Sequence, residues 1–134
     1  MKSFTISLRA WHPTLSAEAI SSKMGLPAAH AYSAGHERVT PKGTPLDGVY
    51  RESYCSFEIM GKTTGYFTDG ITQCAQMLKS LAAPFSELTA TGGRLEVYVW
   101  IYPEGETDLG FELERPLIRL LSDLNLTLSV EIYV

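Results

Sequence analysis

The residues best suited to chemistry lie in nine positions, HAYSAGHER at 30–38: His30, His36, Tyr32, Glu37 and Arg38, set around a flexible Ser-Ala-Gly. A third histidine, His12, lies upstream. Imidazoles ligate metals and move protons near neutral pH. A structural zinc site wants four ligands at tight spacing, commonly as closely spaced Cys pairs. The three histidines are spread over two loops, and Cys55 and Cys74 form no such pair. Both cysteines fall at core-facing positions, where a thiol behaves as a small hydrophobe and not as a nucleophile. No metal and no cofactor are expected. A Gly-x-Ser-x-Gly elbow is absent, as are the glycine signatures of phosphate loops, and no residue is singled out as catalytic. One option stays open in this loop: a small-molecule or enzymatic site using His30, His36 and Arg38. The plainer reading is a polar loop packed beside a sheet.

The second concentration is RLEVYVWIY at 94–102. Leu95, Val97, Val99 and Ile101 alternate with Glu96, Tyr98, Trp100 and Tyr102, the period of a strand with one buried face. Arg9, Glu131 and Tyr133 fall on the same polar-aromatic side as Tyr98 and Trp100. Tyr and Trp are favoured interface anchors, and an exposed patch of that size marks a contact surface. This face is therefore expected to meet a protein partner or a second copy of the chain, unless the 27–48 loop folds over it. Nucleic acid is not expected. The strand lacks the Lys/Arg-Gly-Phe signature of RNA-recognition motifs, three glutamates (Glu58, Glu96, Glu131) share the face, and the chain's net charge is −4.

Around these two regions the pattern predicts the elements that position them. KSFTISLRA at 2–10 alternates as a half-buried strand. A short helix follows, capped by Ser16, striped by Ala17, Ile20 and Met24, and ended by Gly25 and Pro27. Residues 27–48 read as a long loop with a short strand at 36–40, and VYRESYCSFEIM as a strand. TDGITQCAQMLKSLAAP reads as a helix capped by Thr68 or Asp69, with Ile71, Cys74, Leu78 and Leu81 in one stripe and a break at Pro84. RPLIRLLSDLN reads as a helix with Pro116 near its start and Asn125 at its end. LTLSVEIYV closes the chain as a strand with Leu128, Val130, Ile132 and Val134 on one side. Strands buried on both faces would read as continuous apolar runs. The expected fold is thus α+β: a two-layer sandwich, one mainly antiparallel sheet of four to five strands with three helices packed on one face.

The 134 residues suit a single domain over 1–134, long enough for a core without disulfide staples. Apolar runs fall far short of a membrane span, and the alternating N-terminus does not read as a signal peptide. No membrane contact is expected, and the default compartment is cytoplasmic.

In order along the chain, SLRAW, LSAEAISSKMGLPAAHAYSAGHER, the Gly-Gly-Arg-Leu lead-in to the aromatic strand, GFEL and the terminal LSVEIYV resemble a bacterial family of small proteins, the domain-of-unknown-function family 4279. The resemblance spans nearly the full length. It implies the fold, supplies no catalytic residues, and implies a structural or binding role for Gly35, His36 and Arg38. The leading expectation is a non-enzymatic binding module. A specific form is an immunity-type inhibitor, because an acidic surface complements a basic toxin.

Overall fold

The structure is a computed structural model that describes residues 2–106 and 108–133. Among the described residues, seven strands and four α-helices run in the order β1 (Ser3–His12), α1 (Ala17–Met24), β2 (His30–Tyr32), β3 (Glu37–Val39), β4 (Pro45–Val49), β5 (Ser53–Thr64), α2 (Phe67–Leu78), α3 (Ala82–Ala90), β6 (Arg94–Tyr102), α4 (Arg115–Asp123) and β7 (Leu126–Ile132). A 3₁₀ turn, Lys79–Leu81, joins α2 to α3, so the helices form three helical regions.

The main sheet has the order β2-β5-β1-β6-β7, and β3 and β4 make a separate two-stranded sheet. Phe4, Ile6, Leu8 and Ala10 of β1, Cys55 and Phe57 of β5, and Leu95, Val97, Val99 and Ile101 of β6 point into one core. There they meet Ile20 of α1, Ile71 and Cys74 of α2, Phe85 and Leu88 of α3, and Leu117 and Leu121 of α4. Each Val, Leu, Ile or Phe among them contributes about 1.5–3 kcal/mol by leaving water.

The sheet is mixed, which corrects the expectation of a mainly antiparallel one. β5 pairs antiparallel with β2 and β1, and β1 with β6, but β6 and β7 are parallel. The cause is the connection over residues 103–125. It carries α4 across the helical face and returns the chain in the direction of β6, the crossover a parallel pair requires.

Local signals held at α1. Ser16 accepts the Ala19 N–H at 3.1 Å, and Gly25 ends the helix at φ 65°. They failed at α2, which starts at Phe67 without a side-chain cap, placing Thr68 and Asp69 inside its first turn. The break expected at Pro84 lies upstream at 79–81. A proline in the first turn of α3 has no N–H to donate and fits a helix start. β2 is an element that the reading of 27–48 as a loop did not contain. Ile132 is exposed because β7 is an edge strand, and the position assigned to Val134 lies outside the described residues. No helix among the described residues is long and apolar enough to cross a membrane.

Candidate interaction surface

Registers across the sheet decide which side chains share the face opposite the helices. Arg9 lies between Ser56 and Glu96, Ser7 between Glu58 and Tyr98, and Trp11 between Tyr54 and Arg94. Trp100 pairs with Thr5 on one side and Glu131 on the other. On β2, His30 pairs with Ser56 and Tyr32 with Tyr54, so the loop sequence extends this face at its edge. It does not cover the face, and every residue of β3 and β4 is exposed.

The face covers itself. The Arg9 guanidinium sits 3.6 Å from the Tyr98 ring centre and 3.4 Å from Glu96 Oε1. Lys62 Nζ lies 4.4 Å from the Tyr102 ring centre and 3.2 Å from Glu104 Oε1. Arg94 lies 4.3 Å from the Trp11 ring centre and 3.0 Å from Glu52 Oε1. In each trio a carboxylate fixes a cation over an aromatic ring, and the cation's stem shields the ring from water. Between the trios the rings touch one another. Tyr50 stacks on Tyr32 at 3.9 Å, Tyr54 bridges Tyr32 and Trp11 at 5.3 Å each, and Trp100 contacts Tyr98, Tyr102 and Tyr133 at 6.3, 6.3 and 5.6 Å.

Two polar groups at the centre stand out. The Tyr98 hydroxyl donates to Glu131 at 2.6 Å; burial and that carboxylate push its pKa up to about 12, so it stays protonated. The Trp100 indole N–H is shielded from solvent and has no acceptor among the described residues. An unmet buried donor costs about 1–3 kcal/mol.

Of the residues expected on this face, Arg9, Glu96, Tyr98, Trp100, Tyr102, Glu131 and Tyr133 are brought together. Trp11, Tyr32, Tyr50, Tyr54, Lys62 and Arg94 were missed. Strand parity carried two positions beyond Arg9, and back from Ser56, would have found Trp11 and Tyr54. The ring–cation pairs join residues far apart in sequence and leave no local signal.

The histidine loop is taken apart by the fold. His30 faces the open side of β2, His36 is exposed after the Gly35 turn, and Arg38 donates to the Asp47 carbonyl at 3.1 Å. A shallow cleft of about 400 Å³ is lined by Arg38, Tyr32, Tyr50 and Glu52 but by neither His30 nor His36. The buried polar residue of the segment is Ser33, whose hydroxyl accepts the Ala17 N–H at 2.9 Å and ties the loop to α1. Gly35, at φ 82°, donates to the Tyr50 carbonyl at 2.8 Å, and the Tyr50 N–H returns to the His36 carbonyl at 3.0 Å.

His12 is separate and buried. Its Nδ1 accepts the Thr14 and Leu15 N–H groups at 3.1 and 3.0 Å, so the proton is on Nε2, 2.8 Å from Thr91 Oγ1. Burial, reinforced by the charge of Lys23, lowers its pKa. Cys55 and Cys74 are fully buried, and burial pushes both thiols up to about 11. Among the described residues, no group of three or more His, Cys, Asp or Glu is placed to hold a metal ion.

Comparison with protein-family models matches residues 2–134 to the domain of unknown function DUF4279. The chain belongs to the DUF4279 family. No curated protein and no solved structure matches it. In this DUF4279 chain the lead-in Gly92-Gly93 has a physical reason. Gly92 adopts φ 101°, and a Cβ at Gly93 would lie 2.7 Å from the Leu88 carbonyl.

Proposed function

We propose that this DUF4279 domain is a binding module whose open sheet face holds a protein partner with a basic surface. The observation that carries the reading is the Trp100 indole. It sits at the centre of the aromatic ribbon with an N–H that no group among the described residues accepts. A backbone carbonyl or carboxylate on a partner would satisfy it once Tyr133, itself 63% exposed, swings aside. The flanking trios hold the rings in place beforehand, which lowers the ordering cost of association.

Charge distribution supports a basic partner. The segment 104–114 carries Glu104, Glu106, Asp108, Glu112 and Glu114 and no base, while the rest of the chain has ten acids and eleven bases. This strap leaves the sheet at the Tyr102 end of the ribbon. The same trios disfavour nucleic acid, because Arg9, Lys62 and Arg94 already face carboxylates and have little charge left for phosphates. An immunity-type inhibitor of a basic toxin is one specific form of this reading. The small-molecule alternative at His30, His36 and Arg38 has less support, since the cleft that Arg38 lines includes neither histidine.

The test is titration of a purified basic partner, recovered by cross-linking in the native host, against wild type and Trp100→Ser. Trp100→Ser should weaken binding at least a hundredfold with an unchanged far-UV spectrum. Wild-type affinity in the folded variant would overturn the reading.

A further inference from the structure

We propose that β7 is a self-pairing edge, through which two copies of this chain join antiparallel into one continuous sheet. The two outer sides of the main sheet differ. On β5 the outer edge beyond Ser56 is guarded: its pairing with β1 carries two register shifts, and Gly61 and Lys62 sit in the exposed stretch. Bulges and lysines are the usual means by which a sheet edge is kept from pairing. β7 has neither. It follows β6 residue for residue from Leu126 to Ile132 without a shift, and contains no proline and no lysine.

The outward backbone groups can be assigned. The Tyr133 N–H bonds the Ile101 carbonyl at 3.0 Å, so by alternation the N–H and C=O groups of Leu128, Val130 and Ile132 turn away from β6. Outward residues of two antiparallel copies exchange hydrogen bonds in pairs. A two-fold axis at Ser129 sets Leu128 against Val130 and Ile132 against Leu126 on the helical side. On the open side it sets Glu131 against Thr127, so the two carboxylates do not oppose one another.

The layers beside the edge fit the same operator. Ile118 of α4 and Ile132 of β7 are 50% and 44% exposed. Counted from the turn between α4 and β7, Ile118 lies about 9 Å along the helix and Ser129 about 10 Å along the strand. The axis that pairs the strands therefore brings Ile118 toward its symmetry mate. It also runs the Arg115 end of one α4 alongside the Asp123 end of the other, and neither side chain makes an ion pair among the described residues of one copy. Because the junction is made by backbone and by the helical layer, it does not depend on the open-face reading.

Sedimentation equilibrium tests it. Wild type should be dimeric at tens of micromolar, Trp100→Ser likewise, and Val130→Pro monomeric with its dimer constant weakened at least tenfold. Proline at an outward-facing edge N–H is tolerated by the fold and removes the donor. In parallel, Thr127→Cys, Ser129→Cys and Glu131→Cys are oxidised; the native thiols are buried and do not interfere. A covalent dimer is expected at Ser129→Cys. A monomeric wild type, a folded Val130→Pro that stays dimeric, or no cross-link at any of the three positions would overturn the proposal.

Discussion

At the scale of single residues, His12 shows a histidine employed as a neutral structural acceptor. It joins the end of β1 to the start of α1 through Thr14 and Leu15, and to the end of α3 through Thr91. An imidazolium cannot accept at Nδ1, so charging it breaks two bonds at once. The sign of the pH effect follows. Its ordinary value is 6.5 and the folded value lies below it. As pH falls beneath the ordinary value, the unfolded chain takes up a proton that the folded chain refuses. Stability from this group is therefore complete above the ordinary value and is lost as pH falls toward and through the folded one. Urea titrations at about pH 7.5 and 5.5 should show wild type losing stability on acidification, with a flatter dependence in His12→Gln. His12→Ala should cost about 2–4 kcal/mol at neutral pH, from unmet donors and the cavity left behind. An equal pH slope in wild type and His12→Gln would show that the imidazole is not the titrating group. Strand parity carried past Leu8 and Ala10 sets His12 on the core side of β1, apart from His30 and His36. Its role as an acceptor was not legible, because it arises from which backbone N–H groups the β1–α1 turn presents, a matter of local geometry.

At the scale of elements, close approach explains two glycines. A Cβ at Gly70 would lie 2.6 Å from the buried Phe4 ring, which is how α2 settles onto β1. At Gly93 it would meet the Leu88 carbonyl at 2.7 Å, and that backbone is held by the Gly93 N–H. Gly70→Ala gains about 1 kcal/mol of helix propensity against about 1–3 kcal/mol of overpacking. Gly93→Ala has no such gain, and its neighbour cannot rotate away. Thermal melts should rank Gly93→Ala below Gly70→Ala and both below wild type; the reverse order would mean that the Phe4 ring cannot yield. Elements with a complete local signal were legible: β6 spans Arg94–Tyr102 as its alternation predicts, and Ser16 and Gly25 frame α1. β2 was not, because His30, Ala31 and Tyr32 are largely exposed and three residues carry no periodicity. Nor was the direction of β7, which depends on where α4 lies across the sheet and not on the strand's own residues.

At the scale of the whole molecule, the aromatic surface and the acidic strap meet at Tyr102, where Lys62 joins the ring to Glu104. The side-chain composition of the open face was readable from strand parity, but its self-covering was not, since Arg9, Lys62 and Arg94 find their rings only after the strands are ordered. The strap separates two contributions to binding. The aromatic centre is desolvated on contact and governs how long a complex lasts, whereas exposed carboxylates act at a distance and govern how fast it forms. Glu104 and Glu106 are engaged with Lys62 and Lys2, while Asp108, Glu112 and Glu114 make no ion pair among the described residues. Replacing these three with Asn, Gln and Gln should leave the melting temperature within a degree or two. Association with a basic partner should slow by about tenfold at low salt, with little change in dissociation. The difference from wild type should shrink as salt rises and the charges are screened over about 10 Å or less. Stopped-flow mixing at two salt concentrations measures both effects. An unchanged association rate would place the partner's basic surface away from the strap, and a faster dissociation would make the strap part of the contact itself.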